Sequence, residues 1–320
     1  MKRKRIWKIG LLFAVPLALL AMIALVLERN SWWPRTIKTW AVEPNHLQFS
    51  PDGRTLAFND GGLYICDVAS CTQKMELDMA GGLFLEKGSY MTAVSYSAPS
   101  LQILSVWDGK TIAVAPKDFD PVGVLADEST LIGWMSDQSV DARQKLFRWN
   151  WRSDRVPQPY ARLSKKPEGP ILLLSDKATL SDGRHFWDLA TGKLRFQLEY
   201  EQEDEVRDQL SNPSSFMAFR EGNTVRILDY RMGKVRGSVA VASSKSDDFK
   251  VSPDGTMLAE FEHWTTGKPQ INLWDIPNGR LLRQIEVPVS TNSTYSLAFS
   301  PDGRTLAVAL CSTVKLWRIK

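Results

Sequence analysis

A nine-residue text, FSPDGRTLA, stands at Phe49–Ala57 and again, unchanged, at Phe299–Ala307; a close variant, VSPDGTMLA, stands at Val251–Ala259. Copies of one nonamer this far apart mark an internal repeat, and a repeat constrains architecture more than any local propensity does. The text itself is a turn leading into a strand. In Ser-Pro-Asp-Gly the proline presets φ, the aspartate can bond nearby backbone, and the glycine accepts φ > 0. In the last copy the run that follows, Thr305–Leu310, is apolar and rich in strand formers. Val314–Ile319 then alternates apolar and polar residues, as a half-buried strand does.

A second signature recurs between these copies: a bulky residue followed by a small polar one. It reads Cys66-Asp67, Trp107-Asp108, Trp149-Asn150, Trp187-Asp188, Leu228-Asp229, Trp274-Asp275 and, less closely, Trp317-Arg318. From Asp67 the steps are 41, 42, 38, 41, 46 and 43 residues, so the chain holds seven units with a period near 42.

A period of 40–45 residues with Trp-Asp closing the third strand of each unit resembles the WD-repeat β-propeller family. The resemblance covers about residues 35–320 and is sharpest in the last two units. It implies an all-β fold, a seven-bladed propeller of four-stranded blades. The family's Gly-His dipeptide is absent, since His46, His185 and His263 follow Asn45, Arg184 and Glu262. The buried Asp-His-Ser-Trp network of that family is therefore not carried over. The SPDG turns also resemble those of the Tol-system periplasmic propeller.

Each unit has too little core of its own, and stacking buries its faces. The last unit stops at Lys320 after its third strand. The resemblance implies that Arg35–Val42 supplies the missing outer strand and closes the ring. The expected blades are 46–78, 82–115, 121–160, 170–200, 204–241, 247–287, and 294–320 with 35–42.

The formal charge of +4 is unevenly placed. Lys2, Arg3, Lys4, Arg5 and Lys8 head the chain, whereas residues 30–320 carry 34 basic and 35 acidic groups. The folded part thus lacks the basic face that nucleic acid requires. Residues 1–8 read as a cytoplasmic basic tail. Residues 9–27, IGLLFAVPLALLAMIALVL, hold no charge. As a helix they would span about 28 Å, the thickness of a bilayer's hydrocarbon core. A cleaved signal peptide has a shorter apolar region ending in a small-x-small site; here Ala24-Leu25-Val26-Leu27-Glu28-Arg29 holds none beside it. We read residues 9–27 as an uncleaved transmembrane signal anchor and residues 28–34 as a stem. Positive charge stays on the cytoplasmic side, so the propeller is expected outside the cytoplasm, as in a bacterial periplasm.

Two inter-blade loops carry the candidate binding groups. Pro157–Pro170 holds Arg162, Lys165 and Lys166; Glu199–Asn212 holds Glu201, Glu203, Asp204 and Glu205. Adjacent basic and acidic loops on one face can dock a protein by charge complementarity, or they are simply solvated. Trp264, beside Glu262 and His263, and Trp134 are either contact aromatics or strand-end packing. No nucleophile motif, phosphate loop or metal-ligand spacing occurs, so no cofactor and no catalytic residue is assigned. The expected function is a membrane-anchored, non-catalytic platform for protein partners; the alternative is an envelope hydrolase or ligand-binding propeller with its site in the central channel. Cys66 and Cys71 flank a hairpin and are either bridged or free; Cys311 is expected in the core.

Overall fold

The computed structural model describes residues 34–39, 41, 44–97, 100–136, 144–169, 171–198, 206–207, 215–241, 248–262, 269–287, 296–310 and 312–320. These residues form seven four-stranded antiparallel sheets. Blade 1 contains, from the inside outward, β2 (Asn45–Phe49), β3 (Thr55–Asn59), β4 (Leu63–Asp67) and β5 (Thr72–Leu77). Blade 2 contains β6 (Met79–Leu85), β7 (Tyr90–Ser95), β8 (Leu101–Ser105) and β9 (Thr111–Val114). Blade 3 contains β10 (Phe119–Val124), β11 (Thr130–Met135), β12 (Lys145–Asn150) and β13 (Gln158–Arg162). Blade 4 contains β14 (Leu172–Leu173), β15 (Thr179–Ser181), β16 (His185–Asp188) and β17 (Leu194–Gln197). Blade 5 contains β18 (Val206–Arg207), β19 (Phe216–Glu221), β20 (Thr224–Asp229) and β21 (Lys234–Ala240). Blade 6 contains β22 (Asp248–Val251), β23 (Met257–Glu262), β24 (Gln270–Asp275) and β25 (Arg280–Glu286).

The seventh sheet is built from both ends of the chain. β26 (Ser296–Phe299), β27 (Thr305–Leu310) and β28 (Thr313–Arg318) are completed by β1 (Arg35–Lys38) as the outer strand. Arg35 lies opposite Leu316, and Lys38 opposite Thr313. Closure hides sheet faces and an edge that would otherwise invite pairing with another chain.

Seven apolar clusters hold the ring, one at each seam between neighbouring blades. Ile37, Phe49, Leu56 and Leu316 join blades 7 and 1, and Phe186, Met217, Leu228 and Tyr230 join blades 4 and 5. No blade has a private core, because each sheet is apolar on both faces and shares them with its neighbours. Burial of one such side chain contributes about 1.5–3 kcal/mol.

The SPDG turns work alike in all three copies. The Ser50 hydroxyl donates to Asp52 at 2.6 Å and accepts from the Thr55 N–H at 2.9 Å. Ser252 and Ser300 repeat these bonds with Asp254 and Asp302. Blades 3 and 4 keep the turn with other residues. Asp127 and Asp176 accept from the N–H and hydroxyl of Thr130 and Thr179, and Glu128 and Lys177 take the left-handed conformation at the glycine position, each with φ near +57°.

Blade 2 departs from the expected register. In the other blades the bulky residue before the polar one is paired across the sheet with Leu56, Leu131, Leu180, Met217, Leu258 or Leu306. In blade 2 the equivalent, Met91, faces Leu104. The unit is therefore closed by Leu104-Ser105, and the dipeptide expected there, Trp107-Asp108, lies in the following turn. Trp107 is 73% exposed, whereas Trp149, Trp187 and Trp317 are buried.

The thiols of Cys66 and Cys71 are free. Cys66 lies in the blade 7–1 core, where burial, helped by nearby Cys71, pushes its pKa up to about 12. Cys71 takes the turn's left-handed position at φ 55°, where blades 4 and 6 have Gly192 and Gly279. A thiolate-directed alkylating reagent at neutral pH is expected to modify half-buried Cys71 in the native protein and Cys66 only after unfolding. Peptide mass mapping with and without denaturant checks this, and equal native labelling would count against it. Cys311 and the segment 9–27 lie outside the described residues; among those residues no helix is long and apolar enough to cross a membrane.

Candidate functional site

In every blade the turns joining strands one to two and three to four lie at one end, here the lower. Loops joining strands two to three, and one blade to the next, lie at the upper end. The basic segment falls on the upper side of the seam between blades 3 and 4, but it is shorter than the sequence suggests. Gln158–Arg162 is not loop; it is β13, with Arg162 opposite Lys145. Arg162 and Lys166 are exposed.

Lys165 is engaged with blade 4. Its Nζ lies 2.7 Å from Nε2 of His185 and 3.3 Å from Oε1 of Gln197. An ammonium can only donate, so Nε2 accepts and Nδ1 carries the proton. Nδ1 lies 3.0 Å from Oδ2 of Asp182 and donates to it. His185 is fully buried, and the Asp182 side chain is 1% exposed. The carboxylate also accepts from the N–H groups of Glu168 at 2.8 Å, Arg184 at 3.1 Å and His185 at 2.7 Å. Burial acts to raise the Asp182 pKa, but these donors outweigh it and the carboxyl titrates below its ordinary range. Glu168 returns a bond at the surface, accepting from Arg184 at 3.3 Å. The Asp182–His185–Lys165 chain therefore ties the loop entering blade 4 to the turn between its second and third strands. Gly192 supports the same seam from outside: a Cβ there would stand 2.0 Å from the Arg162 carbonyl oxygen.

Blade 6 holds a second polar cluster. Glu260 and Glu262 project from the same face of β23 and are 0% and 2% exposed. Glu260 accepts from the Trp274 indole at 2.9 Å, and Glu262 from Asn272 at 2.8 Å and Gln270 at 2.6 Å. The Trp274, Asn272 and Gln270 side chains are thus among the donors to these carboxylates.

Of the other candidates, Glu201, Glu203, Asp204, Glu205 and Trp264 lie outside the described residues. Trp134 is packing rather than contact surface: it is buried, and its indole donates to Asp120 at 3.2 Å. Asp182 and His185 were missed in the sequence. The signal for them was Asp182-Gly183-Arg184-His185, a tight turn whose first residue can cap its fourth. Among the described residues no group of three or more His, Cys, Asp or Glu is placed to hold a metal ion.

The fold and its upper seam define the chain as a seven-bladed β-propeller. No model of a known protein family matches it, and no curated protein sequence matches it significantly. Among solved structures, a chain in the crystal structure of the mitotic checkpoint complex is similar, with a TM-score of 0.59 and 17% identity, over 90% of this chain and 92% of that one. At that identity the likeness concerns the fold alone.

Proposed function

We propose that this chain is a membrane-anchored, extracytoplasmic propeller that presents its upper face to a protein partner and does no chemistry of its own. The observation that carries this reading is the pinned loop over blades 3 and 4. Asp182, His185 and Lys165 hold it, and Arg162 and Lys166 are exposed at the surface beside it. A rigid scaffold with exposed charges on short loops is suited to recognition, because little conformational freedom is lost on binding. The uncharged segment 9–27 behind a basic head supports the anchor. The channel gives the hydrolase alternative little support. Among the inner-strand residues whose side chains are described, the acidic or imidazole groups are His46 and Asp120, in two different blades.

The test is affinity capture with the full chain from solubilised membranes, followed by a titration of the recovered partner. Arg162→Glu with Lys166→Glu is expected to weaken binding roughly tenfold, about 1.4 kcal/mol, with the fold unchanged by circular dichroism. Unaltered affinity in that variant would remove the upper seam as the docking face.

A further inference from the structure

The lower rim of the ring is built differently from the rest of the surface. Among the described residues ten large apolar side chains are exposed. Val94, Tyr96 and Val114 lie on the upper or outer side. The other seven, among them Trp107, Val156, Met232 and Leu281, lie in the turns between third and fourth strands or in the first three residues after them. They are spread over blades 2, 3, 5 and 6, so they border the ring rather than form one pocket. Cationic tips alternate with them. The side chains of Lys110 and Arg280 are 77% and 68% exposed, and Arg155 and Arg231 are exposed. Of the acidic residues in these turns, Asp188 accepts from Thr191 and Asp229 from the N–H of Met232, while exposed Asp108 pairs with Lys110 at 3.1 Å and Asp275 with Arg280 at 3.0 Å. Exposed aromatic and aliphatic groups among outward cations are the composition of a surface that meets anionic lipid headgroups.

The path of the chain agrees. β28 ends at the lower side, where Lys320 bonds Asp254 and, at 3.1 Å, Thr256 in a lower turn of blade 6. β1 runs antiparallel to β28, so the chain reaches Arg35 from that same side. Residues 28–34 alone separate Leu27 from Arg35, a reach of at most about 25–30 Å when extended.

We infer that the lower rim rests on the bilayer, with Trp107 and Met232 in the headgroup layer and Lys110, Arg231 and Arg280 against anionic headgroups. This rests on the anchored reading of residues 9–27, and it turns the upper face away from the membrane. The test uses the full chain in vesicles of zwitterionic lipid with and without an anionic lipid. Flotation first reports anchoring; hydroxyl-radical oxidation read by mass spectrometry then reports exposure at native Trp107, Met232 and Tyr96. In anionic vesicles Trp107 and Met232 are expected to oxidise several-fold more slowly than in detergent, and Tyr96, 53% exposed on the upper side, at an unchanged rate. A chain that floats but shows Trp107 labelled as fast as in detergent, or Tyr96 equally protected, overturns the orientation while leaving the anchor intact. A chain that does not float overturns both. Protection that grows with protein concentration in detergent would assign the rim to a second copy and overturn the lipid assignment. Equal protection without anionic lipid would overturn the role of the cations.

Discussion

Ile37→Asp should leave the ring open and largely unfold the protein. Ile37 is fully buried in the blade 7–1 core, opposite Val314, on the strand that completes the last sheet. Truncation to alanine removes buried methyl groups and leaves a cavity, at a cost of about 2–5 kcal/mol. A carboxylate adds the cost of an unpaired charge in an apolar site. A total stability of roughly 5–15 kcal/mol has little room for both. Thr36, its exposed neighbour, is the control: Thr36→Asp should stay within about 0.5 kcal/mol of the parent. Urea titration followed by tryptophan emission reads both. A parent-like midpoint for Ile37→Asp would mean that β1 is dispensable and that six complete sheets and one partial sheet suffice.

The second large effect is at Asp182. Removing a carboxylate that accepts three backbone N–H groups and an imidazole orphans all four donors in a buried site. Asp182→Ala is expected to cost about 3–5 kcal/mol, because each buried donor left unsatisfied costs about 1–3 kcal/mol and the surroundings relax only in part. The same group makes stability depend on acid. Its folded pKa is depressed, so its contribution is fully present above the ordinary aspartate value near 4 and is lost as pH falls through the lower folded value. Asp182→Asn should flatten that part of the stability curve. Urea midpoints for parent and variant, compared at neutral pH and at progressively lower pH, supply the measurement. An identical acid dependence in the two proteins would show that Asp182 is not the titrating group.

The period of the fold was legible because three turns kept the residues that make them. Ser, Asp and Gly at fixed offsets have a job that few substitutes do, and the nonamer survives. The turns of blades 3 and 4 were not legible, although their backbone is alike. There a threonine after the turn, Thr130 or Thr179, replaces the leading serine as the hydroxyl partner of the aspartate, and Glu128 or Lys177 accepts a left-handed φ in place of glycine. Different residues reach the same hydrogen bonds, so no text is shared. Trp107-Asp108 misled for the opposite reason. It has the right letters, but burial, not identity, decides which residue closes a strand, and Leu104 takes the buried place. In the candidate site the charges of Arg162, Lys165 and Lys166 were visible, but which of them faces outward was not. Lys165 turns inward because His185, some 20 residues later, presents a bare ring nitrogen. Such a partnership is tertiary and leaves no local pattern.

The sheet shared by Arg35–Lys38 and Thr313–Arg318 has a consequence for biogenesis. Of the described strands, the first to leave the ribosome is the last to find its mate. At roughly 5–20 residues per second, it waits on the order of 15–60 s while the intervening blades are synthesised. Throughout that interval the nascent domain exposes an apolar flank and an unsatisfied strand border, so a holding factor or rapid stacking of the early blades has to guard it until the final segment emerges.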